Sequence, residues 1–191
     1  MDAKLIKAML DRFHPLSSTS FRSLFERMET LELAAGETFI TKGRPEEHEY
    51  IVMEGICRSF LLDPEGEEIT LSFFAEEAVL SPYITRTQGG VSTINYQAIS
   101  DCTLVRFSAS YFEELMVENL EFRAWGNEVL KYELAQKVEK EIELASLTAK
   151  ERLVKTRMRF PVLENRVPHP AIASYLGIAT VSLSRLRKDV H

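Results

Sequence analysis

Cysteine is scarce in this 191-residue chain: only Cys57 and Cys102 occur, in separate segments. That excludes a disulfide framework, a Cys-x-x-Cys redox pair and a four-thiolate cage for zinc or iron–sulfur, and leaves two buried free thiols as the expectation. Histidine offers no more. His14, His48, His169 and His191 are scattered and form no His-x-His pair, whereas a metal enzyme on a small β-barrel needs two or three histidines and a carboxylate converging on one ion. The chain also lacks a G-x-S-x-G elbow, a P-loop and an H-E-x-x-H helix, so neither catalysis nor a metal site is expected. Apolar runs fall short of the roughly 18 residues of a membrane span. The start, MDAKLIKAMLDRF, mixes charge into its apolar residues instead of building a signal-peptide core. A soluble, cytoplasmic protein with no membrane partner is the expectation. With 8 glycines and 7 prolines the chain is not fibrous, and 45% hydrophobic residues suffice for one large or two small domains.

The net charge of −6 is an average over unlike parts. From Thr148 onward nine basic residues stand against three acidic ones, whereas the first 147 residues carry 14 basic and 26 acidic groups. An acidic body with a basic end suggests a sensor or scaffold joined to a phosphate-binding segment.

Leu5, Ile6, Met9, Leu10 and Phe13 lie at helical spacing, which predicts a first amphipathic helix ending at His14-Pro15, and a second is predicted from Phe21 to Met28. From Leu31 to Phe107, short β-branched and aromatic runs punctuated by Gly36, Gly43, Gly55 and Gly66 predict an antiparallel roll. Its clearest hairpin is SFLL-DPEG-EEITLSFF, where Pro64 suits the turn and Gly66 supplies a positive φ. Helix returns at Ser110, read as a capping box with Glu113. A long helix is then predicted from Leu120 to about Leu147, with Trp125 and Val129 on one apolar face. Leu130, Leu134, Val138, Ile142 and Ala145 form a second stripe, a candidate dimer seam. About 28 helical residues reach some 40 Å, more than one small domain covers. A second capping box, Thr148 with Glu151, restarts a helix that Pro161 ends, and PVLENRVPHP reads as a connector. The domain division is therefore a sensor over 1–118, a long helix over 119–147 and a nucleic-acid-binding end over 148–191.

The last segment, PHPAIASYLGIATVSLSRLRKDV, has helix-turn-helix spacing. Ile172, Ala173 and Leu176 face inward on a short helix, Gly177 takes the turn, Ile178 plugs the angle, and Leu183, Leu186 and Val190 bury one face of a second helix. Thr180, Val181, Ser182, Arg185 and Lys188 face outward. Arginine can donate two parallel hydrogen bonds to guanine, and short hydroxyls reach bases or phosphates. Thr180, Ser182, Ser184, Arg185 and Lys188 are the candidate DNA contacts.

The glycine-spaced roll YIVMEGICRSFLLDPEGEEITLSFF, the strand QAISDCTLVRFS and the end IASYLGIATVSLSRLRK together resemble the CRP/FNR family of bacterial transcription regulators. The short connector is similar to the branch common in Bacteroidetes. The resemblance implies an α+β fold: a cyclic-nucleotide-binding-like β-roll flanked by helices, a long dimerisation helix and a C-terminal winged helix-turn-helix. It also implies a homodimer on double-stranded, two-fold symmetric DNA, acting with RNA polymerase at promoters.

Departures from the family pattern narrow the expectation. The nucleotide cassette corresponds to FFAEEAVLSPYITRTQGGVSTINYQAISDC, with Glu76 and Glu77 but no preceding glycine, and with Ser92 and Thr93 where the family's phosphate-holding Arg-Ser/Thr pair falls. Arg86 stands nearby in another register. Without a guanidinium a buried cyclic phosphate loses charge-assisted hydrogen bonds of about 1.5–3 kcal/mol each. The effector is therefore expected to be something other than cyclic AMP, or absent, and no cofactor is implied; His14 and His48 lack the pattern of haem ligands. In the reading helix, Thr180 and Val181 replace the family's Arg and Glu, Arg185 matches its later Arg, and Ala179 replaces the usual capping serine, at a cost of about 0.5–2 kcal/mol. The wing is expected to be reduced. The alternative function, raised by Ala179, Val181 and the trimmed wing, is a small-molecule-sensing or interaction module with weakened or lost DNA binding.

Overall fold

The computed structural model describes residues 2–81 and 89–189; Arg86, Val190 and His191 lie outside the described residues. Two helices lead into the roll, α1 (Ala3–Asp11) and α2 (Ser18–Phe25). Ile6, Met9 and Leu10 of α1 are buried as its spacing predicts, while Leu5 is exposed and Phe13 follows the helix end. The second helix starts three residues before its predicted position. The Ser17 hydroxyl accepts the Ser20 amide at 3.2 Å, so the cap, not the first apolar residue, sets where it begins.

Eight strands follow: β1 (Glu29–Leu33), β2 (Thr38–Ile40), β3 (His48–Glu54), β4 (Cys57–Leu62), β5 (Glu68–Phe74), β6 (Val79–Leu80), β7 (Asn95–Ala98) and β8 (Cys102–Ser108). They form two antiparallel four-stranded sheets, ordered β1-β8-β3-β6 and β2-β7-β4-β5. The predicted hairpin is β4–β5. Gly66 has φ +86, and Asp63 Oδ1 accepts the Glu65 and Glu67 amides at 3.0 and 2.8 Å. Between the sheets lie Tyr50, Val52, Cys57, Phe74, Leu80, Tyr96, Ala98, Cys102 and Leu104, a core of mixed small, aliphatic and aromatic side chains. A second core, built on Ile51, Val105 and Phe107, joins the other face of the first sheet to the helices.

Helix α3 (Ala109–Glu118) is not capped by Ser110. Strand β8 runs straight into Ser108, whose extended backbone and hydroxyl, accepting the Tyr111 amide at 3.3 Å, provide the cap two residues earlier. The long helix α4 (Leu120–Ser146) matches its prediction closely. Asn119 caps it, and Phe122, Trp125 and Val129 sink into the helical core, with the indole Nε1 donating to the Leu10 carbonyl at 2.8 Å.

Helix α5 (Ala149–Arg159) begins at the predicted Thr148–Glu151 capping box, with both reciprocal hydrogen bonds formed. The connector is more than a linker: it contains a short helix, α6 (Leu163–Arg166), and buries Leu163 and Val167. These two side chains have an apolar surface to meet, because Ile56 and Phe73 of the roll enter the same cluster. Helices α7 (His169–Tyr175) and α8 (Thr180–Asp189) complete the described chain. The whole is an α+β architecture, a β-roll flanked by helices, a long helix and a terminal helix pair.

Candidate nucleic-acid interface and sensor pocket

The terminal helix pair is built on a tight turn. Gly177 adopts φ +66, its amide donates to the Ser174 carbonyl and the Ile178 amide reaches back to Ala173, both at 3.0 Å. A β-carbon at Gly177 would also press on Leu144 of α4 at 3.3 Å, so the position favours glycine by conformation and by space. Ile172, Ala173, Leu176 and Leu183 are buried as expected, with Ile178 and Leu186 half-buried against them. The Arg152 guanidinium fastens the turn, donating to the Leu176 carbonyl at 3.0 Å and the Leu147 carbonyl at 2.7 Å.

The sequence-selected side chains Thr180, Ser182, Ser184, Arg185 and Lys188 all lie exposed on α8. The Ser184 hydroxyl donates back to the Thr180 carbonyl at 3.2 Å, so toward a ligand it is chiefly an acceptor. Ala179 occupies the cap position, its carbonyl accepting the Ser182 and Leu183 amides.

Much of the basic end is ion-paired. Lys155 and Arg159 both pair with Glu139 and Glu143 of α4, Arg166 pairs with Glu76 of the roll at 2.7 Å, and Arg157 and Arg187 share Glu164. Lys155, Arg159 and Arg166 thus clamp the end to the body, while Arg157 and Arg187 pair within the end. Arg185 and Lys188 remain on the open face of α8.

The clamp has a hydrogen-bonded seam that sequence reasoning missed. The Ser174 hydroxyl on α7 donates to the Glu68 carbonyl at 3.0 Å and accepts the Thr70 amide at 2.8 Å, satisfying the outer edge of β5. Phe73 on β5 packs on Tyr175 at 5.0 Å between ring centroids. A lone serine on a short helix carries no signal of such a partner.

The predicted effector residues are divided. Glu76 and Glu77 line a cavity of about 420 Å³ between the roll, α4 and the terminal helices, which Lys137, Lys140 and Arg159 also border. Both carboxylates are engaged: Glu76 accepts from Arg166 and, at 3.3 Å, from the Gly55 amide, while Glu77 pairs with Arg12. Each carboxylate therefore already has a cation, which blunts any repulsion of an anionic ligand. Burial favours the neutral acid at Glu76, but Arg166 and the Gly55 amide outweigh it and hold its pKa below the ordinary value. Burial, reinforced by Lys137 and Arg159, brings Lys140 down to about 7; its ammonium lies over the Tyr175 ring and donates to the Leu71 carbonyl.

Ser92 and Thr93 are not among the residues lining that cavity. Ser92 is buried and its hydroxyl donates to the Ile94 carbonyl at 2.7 Å, while Thr93 is exposed. On β4 the Arg58 guanidinium is buried on the outer face of its sheet, opposite to the inward Cys57, and Glu68, Gln97 and Thr70 engage it. Along α4, Leu130 is half-buried, whereas Leu134, Val138 and Ile142 are 63%, 46% and 58% exposed.

Comparison with known proteins matches residues 30–119 to the cyclic nucleotide-binding domain family. No curated protein matches the chain by sequence. Among solved structures, FixK2 from Bradyrhizobium japonicum superposes with a TM-score of 0.73 at 21% identity, covering 86% of this chain and 84% of that one. A protein from Eubacterium rectale assigned to the CRP/FNR family of transcriptional regulators gives 0.73 at 16% identity, over 93% and 86% of the two chains. The c-di-GMP-responsive global regulator CLP from Xanthomonas campestris gives 0.67 at 16% identity, over 99% and 91%. No helix among the described residues is long and apolar enough to cross a membrane.

Proposed function

The chain contains a cyclic nucleotide-binding domain and has the fold of CRP/FNR regulators, and from that premise we propose that it is a homodimeric, sequence-specific DNA-binding transcription regulator rather than an enzyme. The observation that carries the reading is α8: a helix seated on a packed partner through Leu183, with Thr180, Ser182, Ser184, Arg185 and Lys188 open to solvent. In this reading α8 enters the major groove, Arg185 reads a base edge and Lys188 neutralises a phosphate. The exposed Leu134, Val138 and Ile142 stripe forms the dimer seam and places the two reading helices about one turn of DNA apart, ~34 Å. RNA polymerase at promoters and a cytoplasmic location complete the proposal.

The effector, if one acts, is not cyclic AMP. Ser92 spends its hydroxyl on its own turn, and Arg58 lies on the outer face of its sheet and is already paired with Glu68. The 420 Å³ cavity is bordered by Lys137, Lys140 and Arg159 and equally by Glu76, Glu77 and Glu133, so a ligand there meets charges of both signs.

Binding of the intact protein to its own upstream DNA, against a random duplex at moderate salt, tests the function. Preference for the upstream duplex is expected. Arg185→Ala should relax base preference by about 1–3 kcal/mol, and Lys188→Ala should weaken all sequences alike and lower the salt slope by about one. Equal binding to both duplexes would overturn the reading. If a small molecule then stabilised the protein strongly, the alternative of a sensing module with lost DNA binding would take its place, a reading favoured by the docking of α7 on β5.

A further inference from the structure

The two cysteines that stand 45 positions apart in sequence meet inside the roll. Cys57 on β4 and Cys102 on β8 belong to opposite sheets, and their sulfurs lie 3.7 Å apart with both side chains buried. The approach depends on Gly55. It adopts φ +97, and a β-carbon there would meet the Cys102 sulfur at 2.5 Å and the Asp101 carbonyl at 2.4 Å. The Cys57 thiol points its hydrogen at the Cys102 sulfur, and this, with the Ser100 contact and the Arg166 charge, lowers Cys102 to about 7 against the effect of burial. The pair also lies just beneath the seam between roll and terminal helices. Cys102 Sγ is 3.4 Å from the Ile56 carbonyl and 3.1 Å from that of Ser100. Ile56 packs into the same cluster as Leu163 and Val167, and the Ser100 hydroxyl accepts the Ile56 amide and contacts Arg166.

We propose that Cys57 and Cys102 are a hydroperoxide-responsive dithiol that closes to an intrachain disulfide and signals its state to the terminal helices. The Cys102 thiolate attacks one peroxide oxygen. The O–O bond breaks, and with hydrogen peroxide and one proton the products are a Cys102 sulfenic acid and water. The Cys57 sulfur then attacks the Cys102 sulfur, the S–O bond breaks, and the hydroxyl leaves as water with the Cys57 proton. Both sulfurs are oxidised by one electron each, and the peroxide is reduced to two waters. Closure shortens the separation from 3.7 Å to about 2.05 Å. It also removes the thiol hydrogen that links Cys102 to the Ile56 and Ser100 carbonyls, the same residues that anchor the seam. The signalling half of the proposal rests on the reading of α8 as the DNA-binding element; the chemistry does not.

The experiment uses the full chain, reduced and then treated with excess hydrogen peroxide. Alkylation under denaturing conditions should lose both thiols, peptide mapping should find a Cys57–Cys102 crosslink within one chain, and dithiothreitol should restore both thiols. In Cys57→Ala the sulfenic acid at Cys102 should accumulate and be trapped by dimedone, whereas in Cys102→Ala the Cys57 thiol should stay alkylatable; the wild-type mapping stands if either variant fails to fold. Two thiols that remain alkylatable after peroxide, or a crosslink between chains, would overturn the proposal. Amide exchange over residues 163–167 should quicken on oxidation, and upstream-DNA affinity should change by about fivefold or more. Unchanged exchange would overturn the signalling step. Absence of DNA binding in both states, with the crosslink present, would instead fail the α8 reading and leave the dithiol standing.

Discussion

The two halves of α4 carry the same kind of apolar repeat and meet opposite fates. In the first half, Phe122, Trp125 and Val129 are buried against α1, α3 and the roll. In the second, Leu134, Val138 and Ile142 stand in solvent, although the charged side chains on the opposite face are anchored: Glu143 is buried between Lys155 and Arg159, and Lys140 reaches the β5 backbone. The second half is therefore anchored to its own chain chiefly by its charged side chains, while its apolar stripe stays largely exposed among the described residues. An apolar stripe that stays exposed along a helix is the part suited to a second copy.

The buried half should break the most. Trp125 is 2% exposed, makes edge contacts with Phe13 and Phe112 and donates to the Leu10 carbonyl. Trp125→Ala should lower unfolding stability by about 3–5 kcal/mol, read by urea denaturation. The exposed half should break differently. Leu134→Glu with Val138→Glu should leave monomer stability within about 0.5 kcal/mol per site, yet weaken self-association by about 2–4 kcal/mol, on the order of 30- to 1000-fold in Kd. Sedimentation over a concentration series separates the two effects, and a loss of fold without a loss of association would invert the comparison.

How much of this was readable in the sequence follows the same line. Caps with a local chemical signature were legible: Thr148 with Glu151, and the turn at Gly66. So was the inward set Ile172, Ala173, Leu176 and Leu183, because helical period and burial coincide there. Ser110 was misread because two serines stand two residues apart and only the end of β8 decides which one caps. Long-range pairing was not legible at all. Nothing about Ser174, Arg166 or the cysteines announces a partner 106, 90 or 45 residues away, since such contacts depend on sheet order and on how the terminal helices dock. The charge split was visible, but the clamp that Lys155, Arg159 and Arg166 form with Glu76, Glu139 and Glu143 was not.

That clamp gives the next effect in size. Glu143 is almost fully buried and meets Lys155 at 3.4 Å and Arg159 at 3.1 Å. Glu143→Gln keeps the shape and removes the charge, leaving two cations with only Glu139 to share. Because both cations keep some solvent, the loss should be about 1–2 kcal/mol, below that of a fully buried pair. Thermal unfolding at low and high salt checks it, and the difference between variant and wild type should narrow as salt rises.

The smallest effect belongs to the outer end of the clamp, and pH reads it. Burial raises the cost of charging Glu76, but Arg166 and the Gly55 amide prevail, so the folded carboxyl titrates below its usual 4.5. A depressed folded value means the unfolded chain takes up the proton first as pH falls. The contribution of the pair is therefore full above about pH 4.5 to 5 and is lost as the pH drops through the lower folded value. Glu76 and Arg166 are 38% and 34% exposed, so screening keeps the contribution well under about 1 kcal/mol. Glu76→Gln should lower stability slightly at pH 7 and converge with wild type once the pH falls below the lowered folded value. If the two curves stayed parallel as the carboxyl protonates, the Arg166–Glu76 pair would not be what joins the terminal helices to the roll at this corner, and the seam there would rest on Ser174 and on the apolar cluster of Ile56, Phe73, Leu163, Val167 and Tyr175.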